Sequence, residues 1–148
     1  MLKLDQQLCF AVYSASHAFS RAYKPLLGQL DLTYPQYLVM LILWEADHQP
    51  VKALGARLHL DSGTLSPLLK RLEKLQLVSR TRDEDDERKV IIALTEKGRA
   101  MKAEAEKTIA PAILSAAGCS LNELDELRTE LVRLRESLDK AANCNPAV

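Results

Sequence analysis

Residues 51–95 read VKALGARLHLDSGTLSPLLKRLEKLQLVSRTRDEDDERKVIIALT, and the fold of the chain turns on them. Apolar residues at Val51, Leu54, Leu58 and Leu60 predict a short amphipathic helix. Asp61-Ser62-Gly63-Thr64 supplies turn-forming and helix-capping side chains in four consecutive positions. Over residues 62–76, Leu65, Leu68, Leu69, Leu72 and Leu75 share one helical face, while Thr64, Ser66, Lys70, Arg71 and Lys74 occupy the other. Two β-prone runs follow, residues 77–81 and 89–94, divided by the charged segment DEDDER at 83–88. Two helices joined by a short turn and followed by a β-hairpin make a winged helix-turn-helix. Such a unit places its second helix in the major groove of DNA.

Outward from this stretch, apolar residues at Leu4, Leu8, Ala11, Val12, Ala15, Phe19, Ala22, Tyr23 and Leu26 recur at helical spacing. They predict one long helix over residues 4–27, bent near Pro25. Thr33 is placed to cap the next helix, with Pro35 in its first turn. That helix, residues 36–46, is apolar nearly all round and belongs at the centre of a core. Beyond the hairpin, Thr95 caps a helix that Pro111 is expected to bend or end. Ser120 and Glu123 have the spacing of a capping box for a last helix. Its Leu121, Leu124, Leu127, Leu131, Leu134 and Leu138 form a heptad-like stripe, too narrow to be buried without a partner helix. The tail, residues 141–148, has no periodicity and is expected to fray. The predicted fold is therefore mainly α with a small β-wing, one domain over residues 1–148. Its winged helix-turn-helix, about 36–95, is flanked by dimerisation helices at about 4–30 and 97–142.

Twenty Lys and Arg balance twenty Asp and Glu in the 148 residues, so there is no overall basic excess to attract phosphate. Locally the balance differs: between residues 62 and 76, Lys70, Arg71 and Lys74 face only Glu73. No secretory signal pattern is visible, and the longest apolar run, residues 37–44, is too short to span a bilayer. A cytoplasmic protein with no membrane partner is expected. The three cysteines fit neither a zinc pattern nor a static disulfide framework. A P-loop, a dinucleotide fingerprint and an HExxH motif are all missing, so neither cofactor nor metal nor enzymatic activity is expected.

The residues that carry chemistry fall into two groups. On the second helix of the motif, the hydroxyls of Ser62, Thr64 and Ser66 lie near the N-terminal end that meets base edges, and Pro67 offers apolar contact to a thymine methyl. Lys70 and Arg71 are within reach of guanine or phosphate. In the wing, Arg88 follows Asp86 by two residues, a spacing that suggests a guanidinium held for the minor groove by a bidentate bond. The five wing carboxylates would repel phosphate unless they turn away or neutralise Arg82, Arg88 and Lys89. The second group centres on Cys9, with Tyr13 one helical turn later on the same face, where a phenol can donate to a thiolate. His17, His48 and His59 share no face and read as surface residues.

Several strings resemble a known family. LTEKG after a wing containing DER, with flanking terminal helices, resembles the MarR family of dimeric winged-helix regulators. Within it, CFAVYSASHAF, LDLTYPQYLVMLILWE, LDSGTLSPLLKRLE and DERKVIIALTEKG resemble the organic hydroperoxide resistance regulators, over residues 4–138. The resemblance implies a repressor that binds a pseudopalindromic operator in double-stranded DNA as a homodimer and is released when an organic hydroperoxide oxidises Cys9. It also implies that Tyr23 and Tyr34 hydrogen-bond the thiol, beside Tyr13. Fourteen residues separate Cys9 from Tyr23, roughly 21 Å along one helix, so the two meet only between antiparallel helices of two chains. Cys119 resembles the resolving cysteine of a two-cysteine subtype, which would close an intersubunit disulfide, and Cys144 stays open as a second candidate. Two other readings stand beside this one. The first is a repressor released by a small aromatic ligand, and the second is a thiol peroxidase, for which Cys9 lacks the Thr/Ser–Pro context and a nearby Arg.

Overall fold

Helix α2 (Tyr34–Glu45) has apolar side chains in every direction, and Gln36, Tyr37, Val39, Met40, Ile42 and Leu43 are all buried. Its start is set as the sequence predicts: the Thr33 N–H donates to Gln36 Oε1 at 2.9 Å, and Pro35 sits in the first turn. This computed structural model describes residues 3–144. The chain divides into two compact units, residues 1–110 and 111–148.

In the first unit a short 3-10 turn (Leu4–Gln6) leads into α1 (Leu8–Gly28), followed by α2, β1 (Gln49–Pro50), α3 (Val51–Leu58) and α4 (Ser62–Lys74). Strands β2 (Val78–Arg82) and β3 (Val90–Leu94) form the wing, and α5 (Glu96–Ala117) begins directly after it. Helix α2 touches α1, α3, α4 and β3. Around it Leu54, Leu65, Leu69, Leu72, Leu77 and Ile92 are each 1% exposed or less. Burial of such a side chain contributes roughly 1.5–3 kcal/mol, so these six decide the packing of the helix-turn-helix. His59, left-handed at φ 54°, ends α3 by donating its N–H to carbonyls of that helix, and Asp61 then starts α4. The chain reverses in this short space because the two polar residues satisfy helix ends that would otherwise be orphaned.

The sheet is antiparallel in the order β1-β3-β2. Ile92 in the central strand faces Gln49 on one side and Arg80 on the other. Strand β1 was not anticipated, since two residues are too short to show a period. The other two strands lie within one residue of their predicted bounds. Gly98, in the first turn of α5, is buried, and a Cβ there would collide with the Leu77 carbonyl oxygen. The glycine of the LTEKG string is thus required by close packing of α5 on the start of the wing.

In the second unit α5 ends at Ala117, Gly118 takes a left-handed φ of 65°, and α6 (Leu121–Cys144) follows. The expected capping box forms: the Ser120 N–H donates to Glu123 Oε2 at 2.8 Å, and the Glu123 N–H to Ser120 Oγ at 3.3 Å. These bonds to Ser120 hold the Glu123 carboxyl below its ordinary pKa. No residue of α6 is buried, and Leu121, Leu127, Leu131 and Leu138 are between 46% and 69% exposed.

Two expectations are corrected. Residues 4–27 are not one helix, because Gln7 is extended and separates the 3-10 turn from α1, which does run through Pro25. Of the two outcomes expected at Pro111, ending the helix does not occur, since α5 continues to Ala117. Residues 141–144 are helical rather than frayed, as the polar end of α6 adds its own backbone hydrogen bonds. Residues 145–148 of the expected tail lie outside the described residues. Among the described residues no helix is long and apolar enough to cross a membrane.

Candidate nucleic-acid interface and thiol site

Helix α4 turns Leu65, Leu69 and Leu72 inward, which leaves Ser62, Thr64, Pro67, Lys70 and Arg71 exposed and Ser66 half-buried. Asp61 fixes its first turn, with Oδ1 accepting from the Thr64 N–H at 2.8 Å and Oδ2 from the Thr64 hydroxyl at 3.1 Å. Those two bonds hold the Asp61 carboxyl below the usual carboxylate range. They also change what Thr64 can offer. Its proton is engaged by Asp61, so the hydroxyl faces outward as an acceptor.

Arg71 pairs with a carboxylate from another part of the chain. Its Nη2 lies 3.4 Å from Asp31 Oδ2 in the turn after α1. Asp31 is left-handed at φ 54°, and no sequence signal ties a residue forty positions away to α4. Lys70 keeps its place on the exposed face.

The wing loop neutralises part of its own acidity. Asp83 Oδ1 accepts from the N–H groups of Asp85 and Asp86, at 2.9 and 3.3 Å. Asp86 Oδ1 accepts from the Arg88 N–H at 3.1 Å, and its other oxygen is 3.9 Å from Lys89 Nζ. The expected two-bond clamp on the Arg88 guanidinium is corrected: Nε alone approaches Asp86 Oδ1, at 3.7 Å, and the side chain is 96% exposed. The turn geometry brings Asp86 to the Arg88 backbone, which leaves the guanidinium standing out from the wing.

Cys9 is exposed in the first turn of α1, the end of a helix that favours negative charge. Residues 11–20 after it are all exposed, among them Val12, Tyr13 and Phe19. Tyr13 meets His17 edge-on, with ring centroids 4.4 Å apart. At the other end of α1, Tyr23 and Tyr34 lie together at 4.8 Å, and Tyr37 adds a third ring 5.9 Å from Tyr23. The sequence pointed to Tyr23 and Tyr34 but missed Tyr37, whose only signal was its place on a helix apolar all round. Burial first, then repulsion from the Tyr34 and Tyr37 phenols, raises the Tyr23 pKa to about 12, and burial also raises those of Tyr34 and Tyr37. The three phenols therefore remain protonated, as hydrogen-bond donors, at neutral pH. Since α1 is continuous from Leu8 to Gly28, the rise of about 1.5 Å per residue keeps this cluster roughly 21 Å from the same chain's Cys9.

Cys119 is half-buried in the turn before α6, its thiol 3.3 Å from the Ala117 carbonyl oxygen. Cys144 is exposed in the last turn of α6. Both are free thiols.

Known proteins agree with this architecture. Residues 21–105, more than half of the chain, match the family described as transcriptional regulator SarA/Rot. The transcriptional regulator TtmR of Methylorubrum extorquens is 51% identical over 94% of this chain and 71% of its own length. The organic hydroperoxide resistance transcriptional regulator of Bacillus subtilis is 47% identical, over 93% of this chain and 92% of its own. Among solved structures, AbfR of Staphylococcus epidermidis superposes with a TM-score of 0.80 at 36% identity, covering 93% of this chain and 94% of its own. AbfR has also been seen reduced and bound to DNA, and with a disulfide formed. With a helix-turn-helix, a wing and flanking helices shared over nearly its whole length, the chain belongs to the MarR family of winged-helix, DNA-binding transcriptional regulators.

Proposed function

We propose that this protein is a cytoplasmic repressor that holds its operator as a homodimer while Cys9 is reduced and releases it when an organic hydroperoxide oxidises Cys9. In this reading the chain is one MarR-type domain, its dimerisation helices at about 4–30 and 97–142 flanking the winged unit at about 36–95. The observation that carries the proposal is the separation of Cys9 from the Tyr23–Tyr34 pair along a single helix. Phenols held protonated are suited to donate to a thiolate, and only a second, antiparallel copy of α1 brings them to it. The exposed Leu8, Val12 and Phe19 supply an apolar face for that copy. The names of the Bacillus subtilis relative and of the AbfR structures support the same chemistry.

The reaction balances in two steps. The Cys9 thiolate attacks the terminal oxygen of the hydroperoxide, the O–O bond breaks, and the alcohol leaves after taking a proton, with Cys9 now a sulfenic acid. The thiolate of Cys119 of the partner subunit then attacks the sulfenic sulfur, an S–S bond forms as the S–O bond breaks, and the hydroxide takes a proton and leaves as water. Such a bond is compatible with a reducing cytoplasm because it is transient. Turning the two winged units relative to each other takes their α4 helices out of register with major grooves about 34 Å apart.

For DNA contacts we assign Ser62, Thr64, Ser66, Pro67, Lys70 and Arg71 to the major groove. Arg88, with Asp86 bracing its backbone, is assigned to the minor groove. The test is operator binding by reduced protein before and after an equimolar alkyl hydroperoxide, with non-reducing gels, for wild type, Cys9→Ser, Cys119→Ser and Cys144→Ser. Loss of binding with a covalent dimer that both Cys9→Ser and Cys119→Ser abolish is expected. A dimer that survives Cys119→Ser but not Cys144→Ser moves resolution to Cys144, and binding that ignores peroxide overturns the sensor.

A second reading rests on one cavity. About 320 Å³ lies between α2 and the first part of α5, lined by Tyr37, Leu41, Trp44 and Ala105, with Lys102 offset by Glu45 and Glu106, a size and aromatic lining that suit a small aromatic ligand carrying no negative charge. Release of Cys9→Ser from operator by such a compound would favour it.

A further inference from the structure

The C-terminal end of α4 is closed locally, the Leu75, Gln76 and Leu77 N–H groups donating to the Arg71, Glu73 and Leu72 carbonyls, and the two carbonyls that follow the helix are held from outside its own sequence. Leu75 and Gln76 follow the last helical residue, and Gln76 is left-handed at φ 60°. Carbonyls at such an end have no partner within the helix. Here the Lys97 ammonium donates to the Leu75 carbonyl oxygen at 2.9 Å, and the Thr95 hydroxyl donates to that of Gln76 at 2.6 Å. Both side chains belong to the start of α5, and a cation at this end also complements the helix dipole. The same short segment is tied to the rest of the winged unit. Thr95 Oγ1 accepts from the Gly98 N–H at 3.0 Å, and the Thr95 N–H donates to the Leu77 carbonyl at 3.1 Å. Trp44 Nε1 donates to the Gly98 carbonyl at 2.9 Å, and Arg99 Nη2 donates to Asp47 Oδ2 at 3.0 Å. Asp47 in turn accepts from the Leu94 N–H at the end of β3, at 2.8 Å.

We propose that Thr95 and Lys97 are positioning residues for DNA binding: they lock the axis of α4 to the first turns of α5, so that α5 sets the direction in which each α4 is presented. The inference rests on the proposed dimer, since only two copies have a separation to set. Without the clamp, α4 keeps its N-terminal cap and its buried leucines and still reads its half-site. What is lost is the fixed distance between the two half-sites. A role in local stability alone would lower the unfolding midpoint and leave that distance untouched.

The test is selection of duplexes from a randomised DNA pool by reduced wild type, Lys97→Met, Thr95→Val and the conservative Thr95→Ser, with thermal unfolding of each. Wild type and Thr95→Ser are expected to enrich paired half-sites at one separation, favoured at least about tenfold over a shift of one base pair. Lys97→Met, which keeps its apolar stem and removes one exposed hydrogen bond, is expected to enrich the same half-site sequence with that preference reduced to about threefold or less. Thr95→Val should do the same if it folds, and Lys97→Met decides the matter if it does not. Variants that keep the wild-type preference overturn the proposal. Wild type that enriches single half-sites overturns the dimer reading, and with it any role for the clamp in spacing.

Discussion

Helices α1 and α2 are both rich in apolar side chains, and they use them in opposite ways. Of the twelve residues of α2, six are buried in the chain's own core; of the twenty-one of α1, only Leu27 is. The winged unit closes on itself, whereas α1 presents Leu8, Val12 and Phe19 to the outside, as α6 presents its leucines. One region specifies its structure alone, and the other leaves an apolar surface for the second chain of the proposed dimer. Exposed apolar stripes of this length are rare on surfaces with no partner.

The largest effect is expected where the self-contained region is tightest. Gly98→Val would place a side chain against the Leu77 carbonyl oxygen, which is backbone and cannot swing aside. Overpacking of this kind costs about 3 kcal/mol, read as a fall in the denaturation midpoint at unchanged slope. A loss under about 1 kcal/mol would mean that α5 is not locked against the wing and that the contrast between the regions is overstated.

An intermediate effect is expected in the other region. Leu131→Glu puts a charge on the exposed stripe of α6 and removes nothing from a core, since no residue of α6 is buried. Stability of the winged unit should hold while sedimentation shows monomer. Operator affinity should fall roughly ten- to a hundredfold, about 1.4–2.8 kcal/mol, as two linked half-sites become independent. A dimer that persists with full affinity would remove α6 from the interface.

These outcomes bear on how much the amino acids reveal in advance. The helix-turn-helix was legible because its leucines, the Asp61 cap and the two β-prone runs all indicate the same local structure, and the capping residues Thr33 and Ser120 stood at their predicted places. The stripe on α6 was legible for the same reason, through its period. What escaped was non-local or too short to have a period. Asp31 reaching Arg71, Lys97 reaching Leu75 and the two residues of β1 depend on how the chain folds back. The single-ended contact of Asp86 with Arg88 shows the limit of spacing arguments: a separation of two allows a bidentate bond, but the turn gave the carboxylate to the backbone instead. Of the candidate thiol site, the tyrosine pair was named from the resemblance, while Tyr37 joins that pair's cluster only through packing.

The smallest effect concerns the phenols where the two regions meet on α1. Burial, then the neighbouring Tyr34 and Tyr37, raise the Tyr23 pKa from 10.0 to about 12. A raised pKa means that the folded chain holds its proton where the unfolded chain has lost it. The contribution to stability is therefore complete below pH 10 and is lost as pH rises through the window between 10 and about 12. Tyr23→Phe should flatten the stability profile in that window and remove the phenolate absorbance that appears near its upper end. Tyr34→Phe should leave the absorbance but shift it to lower pH, because one of the charges that resists Tyr23 ionisation is gone. If Tyr23 ionises near its ordinary value in the wild type, the cluster is open to water and is not the dry donor pair that the shared thiol site requires. If it ionises late, the phenol remains a donor throughout the physiological range, as the proposed thiol site requires.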